Sequence, residues 1–223
     1  MRRILLVTWC LVFGLCSTCL GAITNQANKL ELEAPQGYFV FRYPVFKSDN
    51  VAEKATVAHI NAVLRQLATN QGNDMQATWQ QVNVEDKENY KSKDVDYTVT
   101  YLSNNLASIV FATTFAQGDR EALLFKEGWT FDLTTGEPVG WQKLVKNEDV
   151  AKLSKDYILK QLRQAAVQDN YVIYFDTNKM DATPKNYYIG SNGYVHLLFN
   201  PYTVGPASSG VIDLDTDCQI INS

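Results

Sequence analysis

Few side chains in this 223-residue chain are of a type and spacing that could do chemistry. It has two histidines, His59 and His196. A zinc hydrolase or metal-dependent deacetylase draws two or three ligands from histidine, so a site here would need both plus carboxylates. His59 sits in Ala58-His59-Ile60-Asn61 with no second histidine one helical turn away, and His196 lies between Val195 and Leu197 inside an apolar run. Both read as structural residues. Gly190-Ser191-Asn192-Gly193 lacks the spacing of a nucleophile elbow, and no helix pattern follows Ser208-Ser209-Gly210. A glycosidase needs two converging carboxylates. None stands out among the 24 acidic residues, although Asp213 and Asp215 would share one strand face near a sheet edge. No glycine-rich phosphate loop occurs. The pattern points away from catalysis, and no catalytic residue, metal ligand or cofactor is assigned.

Aromatic residues carry the remaining signal. Tyr187, Tyr188, Tyr194 and Tyr202 gather in the last quarter of the chain around the loop 200–210, with His196 among them. Tyrosine on strands and loops offers an apolar body with a polar tip, which suits recognition of a protein or a glycan. These five residues are the candidate partner-binding set. The alternative is that alternate tyrosines are core and the others shield sheet surface.

The N-terminus reads as an address. Met1-Arg2-Arg3 precedes an apolar stretch from Ile4 to about Leu15, and small residues follow up to Ala22. This is the layout of a signal peptide over residues 1–22. Retention as a membrane anchor and acylation of Cys16 or Cys19 are the alternatives. Three of the four cysteines (Cys10, Cys16, Cys19) fall in that segment, so the chain beyond it holds only Cys218. Cys218 is expected as a small buried strand residue, and an exported body with one cysteine must be held by its core. The location expected is secreted or periplasmic.

Composition agrees. The chain is 46% hydrophobic and 20% charged, which excludes wholesale disorder. From residue 23 onward 18 basic residues face 24 acidic ones, a charge of −6 against −4 for the whole. Such a body is a poor general binder of nucleic acid, which depends on neutralising phosphates.

The candidate set must be positioned by an α+β fold of antiparallel sheet packed with two main helices, and about ten strands are expected. Residues 28–34 alternate polar and apolar, and Gly37 to Tyr43 form a second strand stopped by Pro44. Asn50 as N-cap and Glu53 as capping-box partner open a helix over about 50–69, ended by Asn70 and Gly72. From residue 78 the period switches to two. Val95, Tyr97, Val99 and Tyr101 share a strand face, Asn104-Asn105 turns the chain into Leu106 to Phe115, and Gly118-Asp119 leads into a third strand, forming a meander. After the turn Asp132 to Gly136, a helix over about 147–166 is expected, followed by a strand over 171–175. Tyr187 to Ile189 and Tyr194 to Phe199 pair across a turn, and Val211 to Leu214 and Gln219 to Ile221 close the fold. The charge run 84–94 reads as a solvated loop between an N-terminal half (23–92) and a C-terminal half (93–223).

Several short motifs resemble a known family. They are Tyr43-Pro-Val-Phe with Asn61, the turn Phe131-Asp-Leu-Thr-Thr-Gly136, Tyr187-Tyr188 before a turn and an apolar strand, and above all Phe199-Asn-Pro-Tyr-Thr-Val-Gly-Pro-Ala-Ser-Ser-Gly210. Together they resemble bacterial exported domains of unknown function found in lysozyme-sensing anti-sigma factors and beside the catalytic domain of some peptidoglycan deacetylases. The resemblance spans about residues 37–214. The sigma-binding segment and the metal-binding catalytic motifs of those proteins are not in this sequence. The resemblance therefore implies a sensor-like binding module of the cell envelope, whose partner is an envelope protein, such as a lysozyme-like one, or a glycan. The acidic charge argues against contact with nucleic acid, and contact with membrane is expected only through a retained leader. The alternative function is a small peptidoglycan-directed hydrolase or deacetylase.

Overall fold

A computed structural model describes residues 23–81, 90–169, 172–173 and 185–221. The expected leader 1–22, most of the charge run 84–94 and all but two residues of the expected strand 171–175 lie outside them.

The fold is α+β. Strands β1 (Thr24–Ala34), β2 (Gly37–Lys47), β3 (Lys91–Leu102), β4 (Leu106–Gln117) and β5 (Leu123–Asp132) form one sheet in the order β1-β2-β3-β4-β5. A second, antiparallel sheet holds β6 (Tyr187–Ile189), β7 (Tyr194–Phe199) and β8 (Ile212–Gln219). Three helices accompany them: α1 (Lys54–Gln80), the single turn α2 (Asn147–Val150) and α3 (Lys155–Asp169). The β3-β4-β5 meander forms as its turn signals predict. Eight strands are described rather than about ten.

One pairing departs from the antiparallel expectation. β2 and β3 run parallel over Gly37–Phe41, joined through the crossover helix α1. This short overlap also explains why β2 continues through Pro44 to Lys47 instead of stopping there. Beyond Phe41 its β3-facing side has no ladder partner, so the missing N–H of Pro44 breaks no bond on that side while Pro44 stays opposite Ala27 of β1.

α1 is longer than its sequence signals predict. The expected capping box does not form: Asn50 Oδ1 accepts from Ala52 N–H (3.1 Å) and Asn50 Nδ2 donates to Glu53 Oε1 (2.9 Å) in a turn ahead of the helix, which starts after Glu53 without a side-chain cap. It then passes Asn70 and Gly72, and residues 78–80, where a strand rhythm is expected, complete its last turn. Tertiary packing overrides the breakers. Met75 and Trp79 are buried, and Gly72 lies under Leu30, Leu32 and Phe39 where a Cβ would be tight.

The second expected helix is broken. After α2 a short 3-10 turn buries Leu153, Ser154 turns extended (ψ 151°), and α3 begins with the Ser154 carbonyl accepting from Ile158 N–H. Ser154 thus stands at the N-cap position, a role serine favours. The two expected closing strands are one: β8 runs through Asp215 to Asp217 with strict in–out alternation. A register shift opposite β7 is filled by Thr216, whose hydroxyl donates to the Val195 carbonyl (2.6 Å). Cys218 is buried on this strand.

The second sheet packs against β4 and β5 of the first. Ala107, Ile109 and Phe111 face α1 together with Phe39, Phe41, Ile60 and Leu64. Leu106 belongs to the other core, with Leu153, Ile158, Leu162, Val195, Leu197 and Phe199. Tyr101 also packs there, because a bulge after Val99 turns it away from the face that Val95, Tyr97 and Val99 share. Between the cores the β6 backbone lies directly on β5. A Cβ at Gly128 would stand 1.8 Å from the Tyr187 carbonyl oxygen, so only glycine fits. Gly128→Ala is expected to lower unfolding free energy by at least about 3 kcal/mol, the upper end of ordinary overpacking, because the obstacle is backbone. Urea denaturation checks this; a loss below about 1 kcal/mol would mean the sheets slide apart freely.

Candidate functional site

Strand alternation decides which of the five candidate residues can meet a partner. Tyr187 points inward, 5% exposed, and its hydroxyl donates to the Val139 carbonyl. Burial pushes that hydroxyl up to about 12, a bond with Thr130 partly opposing it. Tyr188, the next residue, therefore points outward. On β7, Val195 and Leu197 fill the core, which turns Tyr194 and His196 to the outer face. On β8, Asp213, Asp215 and Asp217 face outward between the buried Ile212, Leu214, Thr216 and Cys218.

The register then assembles the centre of this face. Tyr188 is opposite His196 and His196 opposite Asp215. The Tyr188 and His196 rings stack at 4.7 Å between centroids and 19° between planes. Asp213 holds both: Tyr188 OH donates to its Oδ2 (2.8 Å), and His196 Nδ1 lies 3.2 Å from its Oδ1. Gly190 leaves room for the imidazole, since a Cβ there would stand 2.7 Å from His196 Nε2. Tyr202 lies elsewhere, on the loop after β7, 58% exposed with φ 68° and its N–H on the Gly205 carbonyl. The structure thus brings Tyr188 and His196 together with Asp213, puts Tyr194 on the same face, and leaves Tyr187 and Tyr202 out.

The three groups shift one another. The bond to Asp213 raises His196 despite burial. Burial pulls Asp213 upward, but the bonds from His196 and Tyr188 more than offset it and hold the carboxyl below its usual range. Burial and then the Asp213 bond raise the Tyr188 hydroxyl strongly. A tyrosine kept protonated beside a carboxylate is a fixed hydrogen-bond donor rather than a base.

His59 is on α1, half-exposed, with Nε2 3.2 Å from Glu137 Oε1 across the Gly136 turn. Among the described residues no group of three or more His, Cys, Asp or Glu could hold a metal ion.

The motif residues act as staples. Asn61 clasps the Phe46 backbone, its Oδ1 accepting from Phe46 N–H (2.8 Å) and its Nδ2 donating to Phe46 O (2.9 Å). Asn200 does the same to Lys126 (2.7 and 2.9 Å). Asn186, for which no sequence signal was found, donates to the Lys126 carbonyl (2.8 Å) and accepts from Gly128 N–H (2.9 Å). A cleft of about 670 Å³ opens beside these two asparagines, between α1 and the ends of β3, β4 and β5. Its deep residues, Gln71 and Lys93, were also missed: they are 22 positions apart and meet only when α1 crosses the sheet.

A family model described as "Protein of unknown function (DUF3298)" matches residues 142–215, a segment that includes Tyr188, His196 and Asp213. Two crystal structures are similar over nearly the whole chain. A member of the DUF3298 family from Bacteroides fragilis NCTC 9343 has a TM-score of 0.57 and 14% identity, covering 91% of this chain and 95% of that one. A DUF3298 family protein from Pseudomonas aeruginosa PAO1 has a TM-score of 0.51 and 11% identity, covering 87% and 89%. At these identities the likeness is one of fold. No curated protein matches the chain.

The charge pair makes stability depend on pH. His196 titrates above its unfolded value of 6.5, so its contribution is fully present below pH 6.5 and is lost as pH rises through its folded value. Asp213 titrates below 3.8, so its contribution is present above that value and is lost as pH falls through its own folded value. Melting temperature is expected to fall as pH rises through the folded value of His196, and His196→Gln is expected to flatten that step. Thermal unfolding of both proteins from pH 5 to about 9 is the check; equal slopes would contradict it.

Proposed function

We propose that this chain is an exported binding module of the cell envelope, without catalytic activity of its own. It takes a protein, a lysozyme-like one among the candidates, or an envelope glycan on the outward face of the β6–β8 sheet. The observation that carries this reading is the Tyr188–His196 stack locked onto Asp213. An aromatic pair held in one geometry binds with less loss of side-chain freedom than a loose one, and tyrosine is a favoured anchor in interfaces and sugar contacts. The outward Asp213, Asp215 and Asp217 give the face a negative field that steers a cationic partner.

One observation favours the second reading, a small peptidoglycan-directed hydrolase or deacetylase: a histidine oriented by a carboxylate is the arrangement of a general base. Here Nδ1 faces Asp213 and Nε2 lies against Gly190, which turns the second nitrogen toward backbone rather than an open site. Acetate or reducing-sugar release from peptidoglycan by the purified protein, abolished in His196→Ala, would favour that enzyme over the binding module.

Titration with lysozyme and with soluble peptidoglycan fragments tests the leading reading. Saturable binding is expected to weaken roughly 30-fold in Tyr188→Ala, the loss typical of an aromatic anchor. For a cationic protein it is also expected to weaken with added salt. Unchanged affinity in Tyr188→Ala, or no binding of either ligand, would overturn it.

A further inference from the structure

The cleft between α1 and the ends of β3–β5 lies apart from the face just described, since none of Tyr188, His196 and Asp213 lines it. It exists because α1 packs chiefly over β1 and β2. Its last turns then overhang the sheet without covering the ends of the other three strands. One helix face, Gln71, Asp74, Met75 and Thr78, forms the roof, and Lys93, Thr113, Phe115 and Phe125 form the floor. The volume of about 670 Å³ falls in the usual range for small-molecule sites.

Three observations define what it would hold. Lys93 is partly buried, and no carboxylate lies within ion-pair distance of it among the described residues; burial lowers its pKa, opposed by the more distant Asp74 and Glu127. Gln71 Oε1 is buried and has no hydrogen-bond partner among the described residues. Buried polar atoms are nearly always paired, and an unpaired acceptor lining a cleft is a vacant place for a donor. Phe115 and Phe125 are half-buried and offer apolar surface on the same floor. Asp74, Glu127 and Lys185 stand exposed at the mouth while Lys93 and Lys126 are partly buried, so three cations face two carboxylates around the cleft.

We infer that this cleft binds an N-acylated amino acid, either free or as the C-terminal residue of a peptide. The carboxylate pairs with Lys93, the amide N–H donates to Gln71 Oε1, and the apolar side chain rests on Phe115 and Phe125. The aromatic floor is part of the specification, since an anion without an apolar side chain, such as phosphate, gains nothing from Phe115 and Phe125.

Isothermal titration of the purified protein with N-acetyl-L-phenylalanine, N-acetyl-L-phenylalaninamide and inorganic phosphate tests this. The acid is expected to bind saturably and at least about tenfold more tightly than the amide or phosphate, the gain of one charge-assisted hydrogen bond. Lys93→Met is expected to erase that preference. Gln71→Leu is expected to weaken the acid severalfold while leaving the circular dichroism spectrum and melting temperature intact. A short peptide ending in phenylalanine, with a free or amidated terminus, separates the two sources. Binding of the free-terminus peptide assigns the cleft to chain ends, and exclusion of it assigns the cleft to the small acid. Equal binding of acid and amide, phosphate binding as tightly as the acid, no saturable binding, or unchanged affinity in a folded Lys93→Met would each overturn the inference.

Discussion

The structure depends on a backbone-to-backbone contact. β6 lies against β5 with no side chain at Gly128 to separate them, which places peptide groups of both strands where water has little access. Polar groups so placed must be paired or they cost free energy. The seam is therefore polar. Ser108, fully buried on β4, bonds to Thr130 (2.9 Å) and accepts from the Ile189 N–H (2.9 Å). Asn186 and Asn200 take the outward N–H and C=O groups of Lys126 and the N–H of Gly128, capping the free edge of the five-stranded sheet as a further strand would. An edge covered in this way is not offered to another chain.

Both surfaces of functional interest follow from that seam. It fixes β6, and the pleat of β6 then turns Tyr187 into the core and Tyr188 out against His196. It also brings the loops before β6 and after β7 to the end of β5, where Asn186 and Asn200 form one wall of the cleft under α1. The two surfaces differ in chemistry. The outer face is aromatic and acidic, with its tyrosine and histidine already committed to Asp213. The cleft holds Gln71 Oε1, buried without a hydrogen-bond partner among the described residues, and the partly buried Lys93.

The motifs behind the family resemblance do structural work. Asn61 ties the end of β2 to α1, and Asn200 ties the loop after β7 to β5. Asp132 accepts from the N–H and hydroxyl of Thr134 (2.7 and 2.6 Å), closing the turn that Gly136 completes at φ 82°. Ser209 holds residue 172 through its backbone N–H and C=O. Such residues fix a fold and leave its ligand open, which fits structural neighbours that share the fold at 11–14% identity.

The sequence alone determined what depends on neighbours a few residues apart. The β3–β5 meander, the β6–β7 hairpin and the outward turn of Asp213 and Asp215 were legible because strand period and turn chemistry are local. Where long-range packing competes with a local signal, packing decided. Gly72 did not end α1, since Met75 and Trp79 had a core to enter, and Pro44 did not end β2, since no strand paired on that side. The parallel β2–β3 ladder, the pairing of Tyr188 with His196 over Asp213, and the meeting of Gln71 with Lys93 join residues 8 to 54 positions apart. No periodicity encodes those distances. They are set by how a second sheet and a helix pack against the first sheet, and only the tertiary structure could supply them.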